Sequence, residues 1–299
     1  AEDGIRDVER SRGLGDVYKR QLFEYTSSAG NPWGWRSLNI LFSALTILVV
    51  GALTYRFSKS PLLAMASQLL LFADVTFFNI SGLAILDPPA LCFLMLSLLF
   101  YSMNNRIAAG VALGAAMLAK SSSLIAVLAL MCIELSYPII NSEDISSLFN
   151  RLRSAVFEIA VPAAAVFIIG MGLWDGLTGV YPSPLHHLAY MLDYHSSLTY
   201  SDPSMVELPL SWVIPPVSRS PAPLYVETAL PGNWHPIGFW AVSSPLWWAI
   251  WLLIPLGYSK IFSARPVENP SPEVIALSWT ILTFGFFLIA TLLVWRVNG

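Results

Sequence analysis

The chain reads as an all-α protein: a polytopic transmembrane helical bundle of about eight membrane segments, with a long outer-side loop carrying short interfacial helices. Composition is the first reason. Hydrophobic residues make up 56% of the 299 and charged residues 12%, about half the charged share of a soluble domain, and mean hydropathy is +0.63. The second is that apolar runs near the roughly 20 residues of a spanning helix recur along the chain. The third is that Lys and Arg in the short connections fall mainly on one side of the implied bundle.

The runs lie at about 37–57, 62–80, 88–104, 107–119, 121–139, 154–174, 239–259 and 273–295. The run at 107–119, IAAGVALGAAMLA, is short and rich in Gly and Ala, which suits close packing inside a bundle. If the first run points inward, Arg56, Lys59, Arg106, Arg151, Arg153, Lys260 and Arg265 gather on one side and Arg36, Lys120, Arg219 and Arg296 on the other. The richer side is expected to be cytoplasmic, so Asp87 and Lys120 face outward.

Residues 1–21, AEDGIRDVERSRGLGDVYKRQ, are charged and lack the apolar core of a signal peptide. Their SRGLGDVYKRQ portion resembles translated adaptor sequence. They are set apart as a non-native, adaptor-like leader, a short native cytosolic arm being the alternative, and residues 22–299 form the membrane domain. The loop at about 175–238 concentrates Pro, His, Tyr and Trp, which indicates a segment lying on the membrane surface. A PLHHLAYML stretch within it has the pattern of an interfacial helix.

Net charge is −3 and no basic block with interleaved aromatics is present, so nucleic acid is not an expected partner. Cys92 and Cys132 sit inside apolar runs without CxxC or Cys/His spacing and read as small hydrophobes. Walker, Rossmann and GxSxG patterns are missing as well, which removes the usual support for ATP-driven, nicotinamide-dependent and Ser-hydrolase chemistry.

Asp87 opens the run LDPPALCFLML. Two readings fit it. Prolines are comfortable in a first turn, so Asp87 can be a helix N-cap; a carboxylate at a bundle end can equally serve as general base or acceptor-binding group. Lys120 in MLAKSSSLI is either a lysine snorkelling to headgroups or a phosphate contact beside three Ser hydroxyls. The loop holds His186, His187, His195 and His235. On a helix, His187, His195 and Asp193 would share a face, but the spacing is not that of a metalloprotease and metal binding is the weaker reading. In ELPLSWVIPPVSRSPAPLY, Trp212 suits an interfacial anchor and Arg219 a phosphate clamp.

In order, NPWGWRSLNILFSALTILVV, LAILDPPALCFLML, GVALGAAMLAKSSSLI, ELPLSWVIPPV and SSPLWWAIWLL resemble the protein O-mannosyltransferase family of GT-C glycosyltransferases. The resemblance covers most of the chain from about Leu22 onward. It implies transfer of a sugar, typically mannose, from a polyprenyl-phosphate carrier to a hydroxyl on a protein, on the outer or lumenal side. By this resemblance Asp87 matches the family's second outer-side acidic position and is taken as the catalytic carboxylate, Lys120 and Arg36 hold the donor phosphate, and Ser211 and Trp212 belong to the substrate loop; Arg219, as a guanidinium clamp, is added to the phosphate ligands and His195 to the loop. The donor is itself the substrate; no resident cofactor is required, and a divalent metal is optional. The partners implied are the carrier lipid, a protein or lipid acceptor and the bilayer, with a homo- or heterodimer left open.

The chain departs from the family pattern upstream of Asn31, where an acidic residue and a His-Pro-Pro motif are expected, and near its end, where further helices are expected. It is therefore read as a fragment that lacks one catalytic carboxylate and is inactive if nothing replaces it. The expected location is a prokaryotic cell membrane, or the endoplasmic reticulum of a eukaryote. A related GT-C transferase acting on lipid A or another lipid or glycan acceptor is the alternative among the enzymes. A secondary transporter is the alternative outside them; most ionisable residues lie at helix ends, which counts against transport, with Asp74 and Glu134 as the exceptions.

Overall fold

The computed structural model describes residues 32–82, 85–197, 224–230, 233–239, 250–263 and 271–298. It consists of two compact units, Ala1–Ser123 and Leu124–Gly299. Residues 1–21, Arg219, Ser211 and Trp212 lie outside the described residues.

The first unit begins with α1 (Pro32–Ser58) and α2 (Pro61–Ala73). A run of Leu, Ile and Val makes α1 long and apolar enough to cross a bilayer, and a polar stripe, Asn39, Ser43 and Thr46, is buried on one side of it. Ile40, Leu41, Leu45 and Leu48 are exposed on the other sides, as expected of a helix whose solvent is lipid. Thr46 Oγ1 donates back to the Phe42 carbonyl at 2.8 Å, which satisfies the hydroxyl without a second helix. At Gly51 the α2 side chain of Gln68 stands where a Cβ would be, so glycine is what permits this approach.

The apolar run expected to span from 62 to 80 is broken. Asp74 ends α2 in an extended conformation (φ −67°, ψ 119°) and starts the short α3 (Val75–Ser81), its Oδ1 accepting from Phe77 N at 2.8 Å. The carboxylate outcompetes the helical carbonyl for that N–H, a local competition that hydropathy does not register. Next come α4 (Asp87–Ser102) and α5 (Arg106–Ala119), joined by a tight turn in which Asn104 is left-handed (φ 57°). Asn105 caps α5 by accepting from Ala108 N at 3.1 Å. Because the turn is so short, α4 and α5 lie antiparallel against one another. Ala109, Gly110, Ala112, Leu113 and Ala116 are buried, so the small residues of α5 face its neighbours.

Two side chains of α1 reach backbone carbonyls beside α4. Asn39 Nδ2 donates to Ile85 O at 2.9 Å and Arg56 Nε donates to Ser102 O at 2.7 Å, each across 46 residues of sequence. Equal separations at both ends require α1 and α4 to run parallel and in fixed register. Phe42 and Phe93 meet between them with ring centroids 5.5 Å apart.

In the second unit, α6 (Leu124–Ile140) carries Glu134 and Pro138 inward. A single long helical stretch follows: α7 (Ile145–Ala155), a π-helical turn (Val156–Ala160) and α8 (Val161–Thr178). A helix was expected only from 154 to 174. The whole stretch of 34 residues is about 51 Å long at 1.5 Å per residue, well beyond a hydrocarbon core of about 30 Å. Arg151 and Arg153 lie in its first third, where the extra length extends past the core. Gly179 closes α8 with a left-handed φ of 66°, its N–H bonded to Asp175 O. Asp175, expected to start the loop, is thus in the last turn of a helix.

Beyond it, α9 (Pro184–Ser197) is the helix expected from PLHHLAYML. The same loop also contains an antiparallel hairpin, β1 (Leu224–Leu230) and β2 (Asn233–Phe239), with Thr228 opposite His235. The run at 239–259 begins in β2 and its described helix, α10, is Ile250–Ser263. The last helix is α11 (Pro272–Asn298), packed on α6. Among the described residues three helical segments, Arg36–Ser58, Ser121–Ile140 and Ile145–Thr178, are long and apolar enough to cross a membrane, and Pro61–Ala73, Asp87–Ser102, Arg106–Ala119 and Pro272–Thr283 are shorter apolar helices. This is a helical membrane protein.

Two expectations follow. Asn39→Ala removes a buried donor and leaves the Ile85 carbonyl without it, so the detergent-unfolding midpoint should drop by the equivalent of about 1–2 kcal/mol; a wild-type midpoint would mean that the clamp is idle. Asp144, at the start of α7, accepts from the Ser146 and Ser147 hydroxyls and the Ser147 N–H, and these bonds hold its carboxyl below its ordinary value of 3.8. The folded value is depressed, so the cap is complete above the unfolded value of about 3.9 and is lost as pH falls through the lower folded value. Hydrogen exchange of the first turn of α7 should accelerate there in the wild type and show no such step in Asp144→Asn.

Candidate functional site

Asp87 and Lys120 meet. Lys120 Nζ donates to Asp87 Oδ1 at 2.6 Å, and both side chains keep 42% of their surface exposed. The antiparallel α4–α5 pair explains this: the first residue of one helix and the residue that ends the other stand side by side. Lys120 is the C-cap of α5, extended (φ −152°, ψ 115°) with its N–H bonded to Ala116 O. Leaving the helix there turns its side chain across the end of α5 toward α4.

Asp87 is not the N-cap expected from its place before two prolines. Leu86 occupies that position, no side chain caps the helix, and Asp87 is the first helical residue. The prolines, buried at the following positions, remove two N–H groups that a cap would otherwise serve. The carboxylate therefore faces Lys120 instead of its own backbone. Nor does Lys120 extend to the membrane surface as a lone lysine; it has a carboxylate partner.

The loop leading to Asp87 is held from α1, since the Asn39 amide binds the carbonyl of Ile85, two residues earlier. Arg36 stands one turn ahead of Asn39, at the same end of the unit. The opposite end of this unit carries Arg56, Lys59 and Arg106. Three of the residues expected in the site, Asp87, Lys120 and Arg36, are thus collected at one end of one unit. His195 lies near the end of α9, with its side chain outside the described residues.

Other ionisable groups are used inside the fold. Glu134, 1% exposed, accepts from Arg151 Nη1 at 3.2 Å, joining α6 to α7. Tyr137 OH accepts from Ser271 N at 2.8 Å, and Ser271 Oγ donates to Glu273 at 2.9 Å, joining α6 to the start of α11. With Asp74 serving as a cap, both exceptions to the helix-end rule have structural partners.

The partner of His187 is a residue that a shared helical face with Asp193 and His195 does not bring to mind. His187 lies against Asp175 at the end of α8, Nδ1 to Oδ1 2.8 Å, both side chains under 5% exposed, and Tyr181 stacks on its ring at 4.2 Å. Asp175 was missed because it follows a long apolar run and reads as the first loop residue. The one signal for it was a carboxylate twelve residues before a histidine, across a glycine turn. Burial raises the Tyr181 phenol, helped by Tyr190 and Asp175. His186, by contrast, exchanges a 2.8 Å bond with the exposed Ser183 hydroxyl. Among the described residues no three His, Cys, Asp or Glu side chains converge as metal ligands.

Asp175→Ala leaves the buried His187 nitrogen unpaired and should lower the unfolding midpoint by about 1–3 kcal/mol, with Asp175→Asn, which keeps an acceptor oxygen, losing less. An unchanged midpoint in the alanine variant would show that the pair does not hold α9 to α8.

What an end-on carboxylate and ammonium can do is bind opposite charges side by side: a hydroxyl proton on one, an anionic oxygen on the other. No match is found among curated proteins or among solved structures. A family profile described as dolichyl-phosphate-mannose-protein mannosyltransferase matches residues 16–169, a stretch that includes Arg36, Asp87 and Lys120 and ends before Asp175. That stretch exceeds half of the 299 residues, and the chain belongs to the dolichyl-phosphate-mannose-protein mannosyltransferase family, a family of glycosyltransferases.

Proposed function

We propose that this multi-pass protein transfers mannose from a polyprenyl-phosphate carrier to a protein hydroxyl on the extracytoplasmic side of a membrane. The observation that carries the reading is the 2.6 Å meeting of Asp87 and Lys120, half-exposed at the end of the α1–α4–α5 packing. Family membership supplies the class of reaction, and the pair supplies the two charges that reaction needs.

In the proposed step the acceptor oxygen attacks the anomeric carbon from the face opposite the phosphate. The new C–O bond forms as the C–O bond to phosphate breaks, with inversion, and the bonding electrons leave on a phosphate oxygen. Asp87 accepts the hydroxyl proton; Lys120, with Arg36 at the same end, offsets the charge developing on the leaving phosphate. A phosphate monoester leaves as an anion without being protonated, so one carboxylate and cations are a sufficient set. Ser211 and Trp212 are assigned as substrate-loop residues on resemblance, and Arg219 as a further phosphate ligand and His195 as a loop residue on their chemistry and place in the loop.

Sidedness rests on charge. Arg56, Lys59 and Arg106 mark the opposite end of the unit, and an end rich in Lys and Arg is the cytoplasmic one by the usual bias. A lipid carrier lying in the bilayer would approach the pair from between helices.

The test is transfer of labelled mannose from polyprenyl phosphate to a Ser/Thr peptide in proteoliposomes with the full-length protein. Asp87→Asn and Lys120→Ala should each reduce kcat by about 10²–10⁴ with insertion unchanged. Wild-type rates in both variants would remove the site assignment.

A further inference from the structure

We infer that the Asp87–Lys120 ion pair is the closed state of the site and that the carrier phosphate opens it, so that donor must bind before acceptor. The inference rests on the function proposed above and concerns the order in which its substrates bind. The two groups that chemistry must keep available are consumed by one another. Asp87 Oδ1 is bonded to Lys120 Nζ at 2.6 Å, within the range of a charge-assisted hydrogen bond. In that arrangement the oxygen nearest the cation presents its lone pair to an ammonium, and an acceptor hydroxyl offered there would meet a competing donor.

The pair is built to exchange partners. Each side chain is 42% exposed, so an incoming group can reach either without unfolding a helix, and a pair this wet is held weakly. The contrast within the chain is direct, since Glu134 and Asp175 are nearly inaccessible in their pairs. Asp87 has no role as a helix cap that would be forfeited on release, because no side chain caps α4. Its backbone is fixed independently by the Asn39 bond to Ile85 O and by the buried prolines. The Lys120 backbone is likewise fixed through Ala116 O. Opening therefore needs only side-chain rotation.

A phosphate diester offers anionic oxygens to the ammonium, and each one engaged weakens its hold on Asp87. The acceptor offers only a neutral hydroxyl, which cannot draw Lys120 away. Opening is consequently donor-driven, and a carboxylate freed only when donor is present protects against empty encounters with acceptor. By linkage, carrier and acceptor strengthen one another's binding to the same extent.

The variants give opposite signs. With polyprenyl phosphate titrated against the full-length protein in nanodiscs, Asp87→Asn should bind the carrier about three- to tenfold more tightly than wild type, because a neutral amide competes less for Lys120. Lys120→Met should bind it about tenfold more weakly. In the wild type, which needs no substitution to fold, a Ser/Thr peptide should bind at least about tenfold more tightly with saturating polyprenyl phosphate than without it. Equal or weaker carrier affinity in Asp87→Asn, or peptide affinity independent of carrier, overturns the exchange. Those results are separate from the transfer assay: full transfer by both Asp87→Asn and Lys120→Ala removes the site assignment on which the exchange rests, whereas lost transfer with unchanged affinities removes only the order of binding.

Discussion

Fixed parallel register between α1 and α4 is the constraint on which the first unit depends. In hydrocarbon there is no water to satisfy a stray carbonyl, so a polar side chain inside a membrane helix must find a specific partner. Asn39 and Arg56 find theirs in the carbonyls of Ile85 and Ser102, at the two ends of α4. A sliding displacement of α4 by one residue would break both bonds at once. The start of α4, and with it Asp87, is thereby set against α1 along the helix axis, while the short turn after Tyr101 and Ser102 sets α5 beside it. Lys120 then arrives opposite Asp87 by geometry: two antiparallel helices of similar length end where they began.

Small residues allow this arrangement to be tight. Ala109, Ala112 and Ala116 are buried on α5 together with Gly110, and their short side chains let backbones approach where Leu would hold them apart. The large hydrophobic residues exposed on α1 and α2, by contrast, are Leu, Ile, Met, Phe and Tyr. The first unit therefore departs from a soluble bundle: small and polar side chains share its interior with Leu98, Tyr101, Leu113 and Met117, and many large apolar ones face outward. Such a unit has little hydrophobic reason to associate, and its stability depends on packing and on the hydrogen bonds just described.

Much of this was legible in the residues, for physical reasons that differ by feature. Helix positions followed from hydropathy, because the bilayer imposes length and polarity on any segment that crosses it. The expected runs at 37–57, 88–104, 107–119 and 121–139 correspond closely to helices. What hydropathy missed was local competition: Asp74 breaks a run because its carboxylate takes the Phe77 N–H, and the 154–174 run extends back to Ile145 because a polar, amphipathic turn can continue a helix outside the core. The cap reading of Asp87 failed for a related reason, since composition gives no way to see that a cation 33 residues away will outcompete a backbone that two prolines have stripped of donors. The His187–Asp175 pair lay beyond sequence reasoning for want of knowing where α8 ends.

Burial separates three acids that build the fold from Asp87, the acid to which we assign the chemistry. Asp74, Glu134 and Asp175 all stand within or beside apolar runs, and all are buried with a defined partner: an N–H, an arginine and a histidine. A carboxylate withdrawn from solvent to that degree is committed, because removing its partner would leave a charge in a medium that cannot solvate it. Asp87 occurs in the same kind of sequence, yet it retains 42% of its surface and its partner retains as much. Capping is absent there, and the neighbouring backbone is secured by groups other than the carboxylate itself. A charged side chain that the local fold does not need, held at a fixed position beside a half-exposed counter-charge, can exchange that partner for molecules from outside. That separation between what holds the helix end and what stands on it is the physical reason for the proposal that the chemistry lies at Asp87 and Lys120 and not at the more deeply buried acids.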